Sequence, residues 1–311
     1  MRLAVFSLWT GTQDFRLTRA TAMLFSAAVA YGKKNFPYTE LVTDINGLEL
    51  SDRLGWDCTS YSTALEKFCP KGAEHVWMLG KIQAQAIQTE PHVHIDLDML
   101  MFKPMPKRLT RAPVIAQSKD HPKSYYDPYV RSVIDFCGLT SHVAPVNTGL
   151  IGWNDLSFCQ GYCEEALRLS ALAGAKFDHG GVVSIICEQL LLAHMARERH
   201  VKVEVAIPLP LHVAPPDMQD VQFAHFWGES KSDGPFIDAV EKKFLAEFPE
   251  AYRRFLTGWS LLQNHPSVSS ALHIYSPPVS GSSYYPGYYP NYSSGSVSGC
   301  TSGGPRPIHV L

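Results

Sequence analysis

The chain has 311 residues, 45% of them hydrophobic, and its 27 basic and 29 acidic side chains give a formal charge of −2. That is enough apolar chain for a buried core, and with no basic run longer than two residues nucleic acid is not an expected partner. No stretch approaches the roughly 18 uncharged apolar residues of a membrane span, and the apolar run in MRLAVFSLWTG is too short for a signal peptide, so a cytoplasmic location is expected.

Taken in order, the sequence alternates between the periods of strands and helices. Leu3–Leu8 reads as a strand. A helical face of Leu17, Ala20, Leu24, Ala27, Ala28 and Tyr31 follows, with Gly32 expected to stop it. Then come a short strand over Glu40–Thr43, a helix from about His75 to Gln88, and the apolar stretch HVHIDLDMLMFKPMP at 92–106. Further strands are predicted at Val114–Gln117 and in VNTGLIGW, 146–153, followed by a helix that Asn154 or Asp155 would cap. Ser184–Arg197 reads as a helix, Val201–Ala206 and Val221–Trp227 as strands, and Asp233 to about Leu262 as mostly helical with a break near Pro249. Strands separated by helices predict an α/β fold with a mainly parallel sheet covered on both faces.

The seven cysteines show no CxxC spacing and do not form a disulfide framework, which suits a reducing compartment. Cys159 and Cys163, one helical turn apart, read as packing. From Pro266 to Leu311 the chain is dominated by Ser, Gly, Pro and Tyr, and Arg306 is its one formally charged side chain. Such a segment buries too little apolar surface to offset its ordering entropy. The organisation expected is therefore a folded domain over 1–265 and a disordered tail over 266–311.

Two aspartates end the most apolar strand. An ionised carboxylate beside hydrocarbon is costly unless paired. In an extended segment residues i and i+2 share a side, so His94, Asp96 and Asp98 point one way, and Val93, Ile95 and Leu97 the other. Two converging carboxylates suit Mg²⁺ or Mn²⁺, which complete their shells with water and substrate phosphate. Downstream, HFWGESK at 225–231 has the form H-x-x-G-x-x-K. It offers a histidine as third ligand, a glycine that admits a phosphate close to the backbone, and a lysine to neutralise it.

With these pieces in order, the chain resembles the GT-A glycosyltransferases, nearest to the retaining family 8 enzymes, which include glycogenin and bacterial galactosyltransferases. HIDLDMLMFKPMP is similar to their DxD segment, VNTGLIGWN to their Asn-(Ser/Ala)-Gly strand, CEQLLL at 187–192 to their Asp-Gln helix start, and HFWGESK to their late H-x-x-G-x-x-K. The resemblance implies a GT-A, Rossmann-like fold and transfer of a sugar from a nucleotide-sugar donor, with a UDP-sugar favoured, to a glycan, lipid or protein hydroxyl with retention. It implies that Asp96, Asp98 and His225 hold Mn²⁺ or Mg²⁺ against the diphosphate, with Gly228 and Lys231 on the same diphosphate. Asn147 and Thr148 would face the donor sugar, Gln189 the anomeric carbon, and Lys81 the nucleotide phosphates, while Ser7 and Asp44, at the ends of the first two strands, would take the base and ribose. The sequence departs from the family at Glu188, where aspartate is usual, and an inverting reaction would make Glu188 the candidate base. VHIDLDML also resembles the haloacid-dehalogenase phosphohydrolases, with Asp96 as nucleophile and Asp98 as acid/base, but that motif normally opens the chain. A GT-A-like domain that binds a sugar nucleotide without turning it over is the other alternative. The polar loop with Asp120, His121, Tyr125, Tyr126 and Asp127 would serve equally as an acceptor contact or as plain surface, and Asp178–Gly181 reads as a turn before a helix.

Overall fold

The structure is a computed structural model that describes residues 1–11, 15–120, 127–140, 142–207, 222–226, 231, 234–264 and 309–310. Its elements follow in chain order: β1 (Leu3–Leu8), α1 (Arg19–Asn35), β2 (Tyr38–Thr43), α2 (Ile45–Arg53), β3 (Ser60–Ser62), α3 (Leu79–Ala86), β4 (His92–Ile95), β5 (Met99–Met101), β6 (Val114–Lys119) and α4 (Pro128–Phe136). They continue with β7 (Val146–Trp153), α5 (Leu156–Gly174), α6 (Gly180–Ile185), α7 (Leu191–Glu198), β8 (Val203–Ile207), β9 (Phe223–His225), α8 (Gly234–Glu247), α9 (Pro249–Asn264) and β10 (His309–Val310). Seven strands form the main sheet in the order β3-β2-β1-β4-β7-β6-β8. Only β7 runs against its neighbours β4 and β6; the other pairings are parallel. A second, antiparallel sheet is ordered β10-β9-β5.

Alternation along β1 shows how the sheet is covered on both faces. Ala4, Phe6 and Leu8 enter a core with α1, α8 and α9, while Leu3 and Val5 enter the core under α3, α4 and α5. This is the mainly parallel, helix-flanked sheet that the alternating periods predict.

The elements differ from expectation where the local chemistry differs. Gly32 does not stop α1, which runs on to Asn35. The stop is Pro37, which drives the preceding residue, Phe36, into the extended region at φ −125° and ψ 139°. Gly32 instead marks a close approach of α1 to β1, since a Cβ there would stand 2.5 Å from Phe6 Cζ. Helix α2 and strand β3 are absent from the sequence reading, and Asp155 alone caps α5, accepting from Phe158 N at 3.0 Å. Asp127 caps α4 and His179 caps α6. His121, Tyr125 and Tyr126 lie outside the described residues, as does the tail from 266 to 311 apart from β10. The two residues of β10 pair with β9.

Gly258 on α9 supplies a stability prediction. A Cβ there would lie 1.8 Å from the Arg53 carbonyl oxygen, which is backbone and cannot turn aside. Gly258→Ala is expected to lower unfolding free energy by about 1–3 kcal/mol through overpacking, more than the helix-propensity gain of up to about 1 kcal/mol. Urea denaturation reads the difference, and an unchanged or raised midpoint would show that α9 docks loosely on α2.

Candidate metal centre

The site forms where the chain leaves one sheet for the other. β4 ends at Ile95, and Asp96 to Asp98 make a turn in which Met99 N donates to Asp96 O at 2.9 Å. The two carboxylates therefore converge through a turn and not through the strand alternation expected of His94, Asp96 and Asp98. Beyond the turn, β5 pairs with β9 so that Met99 lies opposite His225, and Phe226 N donates to Asp98 O at 2.9 Å. This register carries His225 to Asp98 from far along the chain. Ligand atoms of Asp96, Asp98 and His225 all lie within 4.8 Å of one another.

Each member is held by a charge. Asp98 Oδ1 lies 3.3 Å from His225 Nε2 and Oδ2 lies 2.6 Å from Lys231 Nζ. Burial disfavours the Asp98 anion, but Lys231 and His225 outweigh it and hold the carboxyl well below the usual carboxylate range. Asp96 goes the other way. Burial raises it to about 6, against the pull of Lys81 and with the repulsion of Asp98 and Glu188 added. Two anionic oxygens and an imidazole in this compass fit a hard or borderline divalent ion such as Mg²⁺ or Mn²⁺.

Lys81 was expected to reach the nucleotide phosphates, and its ammonium is committed elsewhere. Its Nζ lies 2.9 Å from Asp96 Oδ1, 2.7 Å from Glu188 Oε1 and 2.7 Å from the Thr148 carbonyl oxygen. An ammonium has three N–H donors, and these acceptors use them. Burial opposes the charge on Lys81, yet Asp96 and Glu188 raise it to about 12. Glu188 Oε1 also accepts from Thr148 Oγ1 at 2.7 Å, and the residue is 1% exposed. A carboxylate bound this way is a poor general base for an incoming hydroxyl.

Glu188 and Gln189 sit on a π turn, Ile186–Leu190, that joins α6 to α7. Such bulges re-aim side chains inside a helix and cluster at functional sites. Here Tyr162 Oη donates to the Glu188 carbonyl at 3.2 Å, and the Gln189 amide oxygen is buried with no hydrogen-bond partner. Asn147 and Thr148 reach the same neighbourhood because β7 pairs with β4 and Asp96 N donates to Gly149 O at 2.8 Å.

At the ends of the first strands the side chains are engaged within the chain. Ser7 Oγ lies 2.9 Å from His94 Nε2, and burial first, then Lys81 and His92, push His94 well below its ordinary value, so it is neutral. Asp44 caps α2, accepting from Gly47 N at 2.8 Å, and its other oxygen takes Thr10 N at 2.7 Å, Thr10 Oγ1 at 2.9 Å and Gly11 N at 3.1 Å. Gly228 lies outside the described residues.

The raised Asp96 carboxyl sets a pH dependence. A carboxyl whose folded pKa, about 6, lies above its ordinary 3.8 contributes stability that is complete below the lower value and is lost as pH rises through the upper one. Metal-free wild type is therefore expected to lose stability relative to Asp96→Asn between about pH 4 and 7. Paired thermal melts across that range check it, and a constant difference would place Asp96 with the ordinary carboxylates.

A family profile described as "Family of unknown function (DUF6734)" matches residues 13–257. The chain belongs to this family. No curated protein is similar to this DUF6734 member in sequence. Among solved structures, it is similar to mouse xyloside xylosyltransferase 1 in its apo form, at 11% identity and a TM-score of 0.35, over 65% of this chain and 83% of that one. It is similar also to the galactosyltransferase LgtC in complex with donor and acceptor sugar analogues, at 12% identity and a TM-score of 0.35, over 81% and 99%. The apo bifunctional glycosyltransferase WbbM is matched at 13% identity and a TM-score of 0.36, over 81% of this chain and 51% of its own. Likenesses at this level say nothing of what the DUF6734 member acts on. No helix among the described residues is long and apolar enough to cross a membrane.

Proposed function

We propose that this DUF6734 protein is a metal-dependent GT-A glycosyltransferase that moves a sugar from a nucleotide-sugar donor, with UDP-sugars favoured, to an acceptor hydroxyl with retention. One observation carries the reading: Asp96, Asp98 and His225 meet within 4.8 Å, with Lys231 against Asp98 at 2.6 Å. When bound there, Mn²⁺ or Mg²⁺ would supply Lewis-acid stabilisation of the charge gathering on the diphosphate leaving group. Lys231, 31% exposed at its side chain, has room to turn from Asp98 to a phosphate oxygen and add its own positive charge. Asn147 and Thr148 would orient the donor sugar, and Gly228 would admit the diphosphate to the backbone.

Retention is favoured by the binding of Glu188. An inverting reaction needs a carboxylate free to take the acceptor's proton, and Glu188 is tied to Lys81 and Thr148. The unpartnered amide oxygen of Gln189 offers an acceptor that would face the anomeric centre as positive charge develops there. Ser7 would lie toward the base through its contact with His94.

The test is a screen of UDP- and GDP-sugars with Mn²⁺, read as donor hydrolysis and as thermal stabilisation, because a ligand that binds only the folded state must raise its stability. Release of nucleoside diphosphate that requires Mn²⁺ is the expected result. Stabilisation without turnover would make the chain a non-catalytic binder, and neither response to any donor would overturn the reading.

A further inference from the structure

Two buried thiols lie beside the turn that carries Glu188 and Gln189, and the proposed reaction uses neither. Cys137 closes the end of α4, and Cys187 is the second residue of the π turn Ile186–Leu190. They are 50 positions apart in the chain, yet their sulfurs stand 3.8 Å from each other. Both are free thiols. A disulfide needs its sulfurs at about 2.0 Å and its Cβ atoms at roughly 3.5–4.5 Å, a geometry that two separate elements reach by small rotations and a small approach.

A second close pair supplies the contrast. The sulfurs of Cys159 and Cys163 lie 4.0 Å apart, but both residues sit on α5. Residues four apart on a helix hold their Cβ atoms about 5–6 Å apart, too far for a disulfide unless the helix breaks. Geometry therefore singles out Cys137 and Cys187. Their surroundings give them different parts: Cys137 is 8% exposed, next to the exposed ring of Phe136, and Cys187 is 0% exposed. The hydrogen bond from Cys187 outweighs burial and, with the charge of Arg168 added, holds the Cys137 thiol below its ordinary value. The same contact and burial push Cys187 up. Because the thiolate is the nucleophile, Cys137 is the sulfur that meets an oxidant and Cys187 the one that resolves it.

We propose that Cys137 and Cys187 are a redox pair whose disulfide fastens the π turn to the end of α4 and lowers activity at the neighbouring site. Hydrogen peroxide is the oxidant. The Cys137 thiolate attacks one peroxide oxygen, the S–O bond forms as the O–O bond breaks, and hydroxide leaves to take up the Cys137 proton as water. The Cys187 sulfur then attacks the sulfenic acid: the S–S bond forms, the S–O bond breaks, and the second oxygen leaves as water with the Cys187 proton. The sulfurs lose two electrons and the peroxide gains them. Reversible disulfides of this kind are the ones that suit a reducing compartment.

The bond draws the sulfurs from 3.8 Å to about 2.0 Å, and part of that approach falls on the π turn. There Glu188 Oε1 sits 2.7 Å from Lys81 Nζ, with Gln189 next to it. A misplacement of about 1 Å in such a position can cost on the order of 100-fold in rate. The effect on turnover rests on the proposed transferase; the bond and its hold on the turn do not.

The experiment treats the full chain with hydrogen peroxide and maps its peptides by mass spectrometry without reduction. Hydrogen–deuterium exchange reads residues 186–190, and the panel of UDP-sugars with Mn²⁺ reads turnover. A linked 137–187 peptide, slower exchange over 186–190 and turnover about 10- to 100-fold lower are expected, each reversed by dithiothreitol. Reduced Cys137→Ser should turn over like reduced wild type and keep that rate after peroxide. Cys187→Ser should accumulate a Cys137 sulfenic acid that dimedone traps.

Folded, peroxide-treated wild type without the 137–187 link overturns the proposal. So does a linked protein that exchanges over 186–190, or turns over donor, as fast as the reduced one. If reduced wild type turns over no donor, the transferase reading falls, and the link and the exchange decide the redox pair alone.

Discussion

Asp98→Ala is expected to abolish Mn²⁺ binding and to cut donor turnover by at least about 10²- to 10³-fold, because the ion it would hold, and with it the preorganised positive charge facing the leaving group, is lost. Asp98 is the anion that the site keeps ready, because Lys231 and His225 overcome burial and hold its carboxyl below the usual range. It also stands between the two partners, with Nε2 of His225 on one oxygen and Nζ of Lys231 on the other. Without it, Asp96 and His225 offer an ion one carboxylate fewer and a weaker field. The parallel thermal melt is expected to show a folded protein, since Lys231 is partly exposed and its ammonium can hydrate when Asp98 is removed. Calorimetric Mn²⁺ titration with a parallel thermal melt separates the two effects. If Asp98→Ala binds Mn²⁺ as wild type does, the cluster is an ion-pair network and the enzyme reading loses its foundation.

How much of this could be seen in the sequence follows from which interactions are local. The strand Leu3–Leu8 matches residue for residue, because alternation against two cores leaves a period in the sequence. Asp96, Asp98 and His225 were legible as types and motifs, and the pairing of Met99 with His225 supplies the reason they meet. Helix α2 was not legible, since Gly47 lies inside it and glycine weakens any helical signal. Without α2 in view Asp44 reads only as the end of the second strand, and its role as a helix cap cannot be seen. The bond from Lys81 to Glu188 joins α3 to the π turn, and nothing in the spacing of two distant residues announces such a contact.

Lys81→Met should be the most destabilising single change in the site. The ammonium is nearly buried and is shared by two carboxylates, Asp96 and Glu188. Methionine keeps the length of the side chain but leaves those anions facing each other with no cation between them. Breaking a buried pair by removing one partner typically costs about 3–5 kcal/mol, a large part of the net stability of an ordinary domain. The sign of the pH effect is set by the anions. Burial and repulsion already raise Asp96 in the wild type; with the lysine gone its proton is held more tightly, so the variant's deficit should be greatest at neutral pH and above and shrink as pH falls toward about 6, below which both proteins carry the proton. A second substitution supplies the decisive comparison. Lys81→Met with Glu188→Gln removes one of the uncompensated charges, and the double variant should be more stable than Lys81→Met alone, a coupling that a double-mutant cycle isolates. Denaturation curves at pH 5 and pH 7 for the four proteins read both effects. A Lys81→Met curve that overlays wild type at neutral pH would mean that water already reaches this lysine and that the site is not the dry, charge-balanced cradle its distances describe.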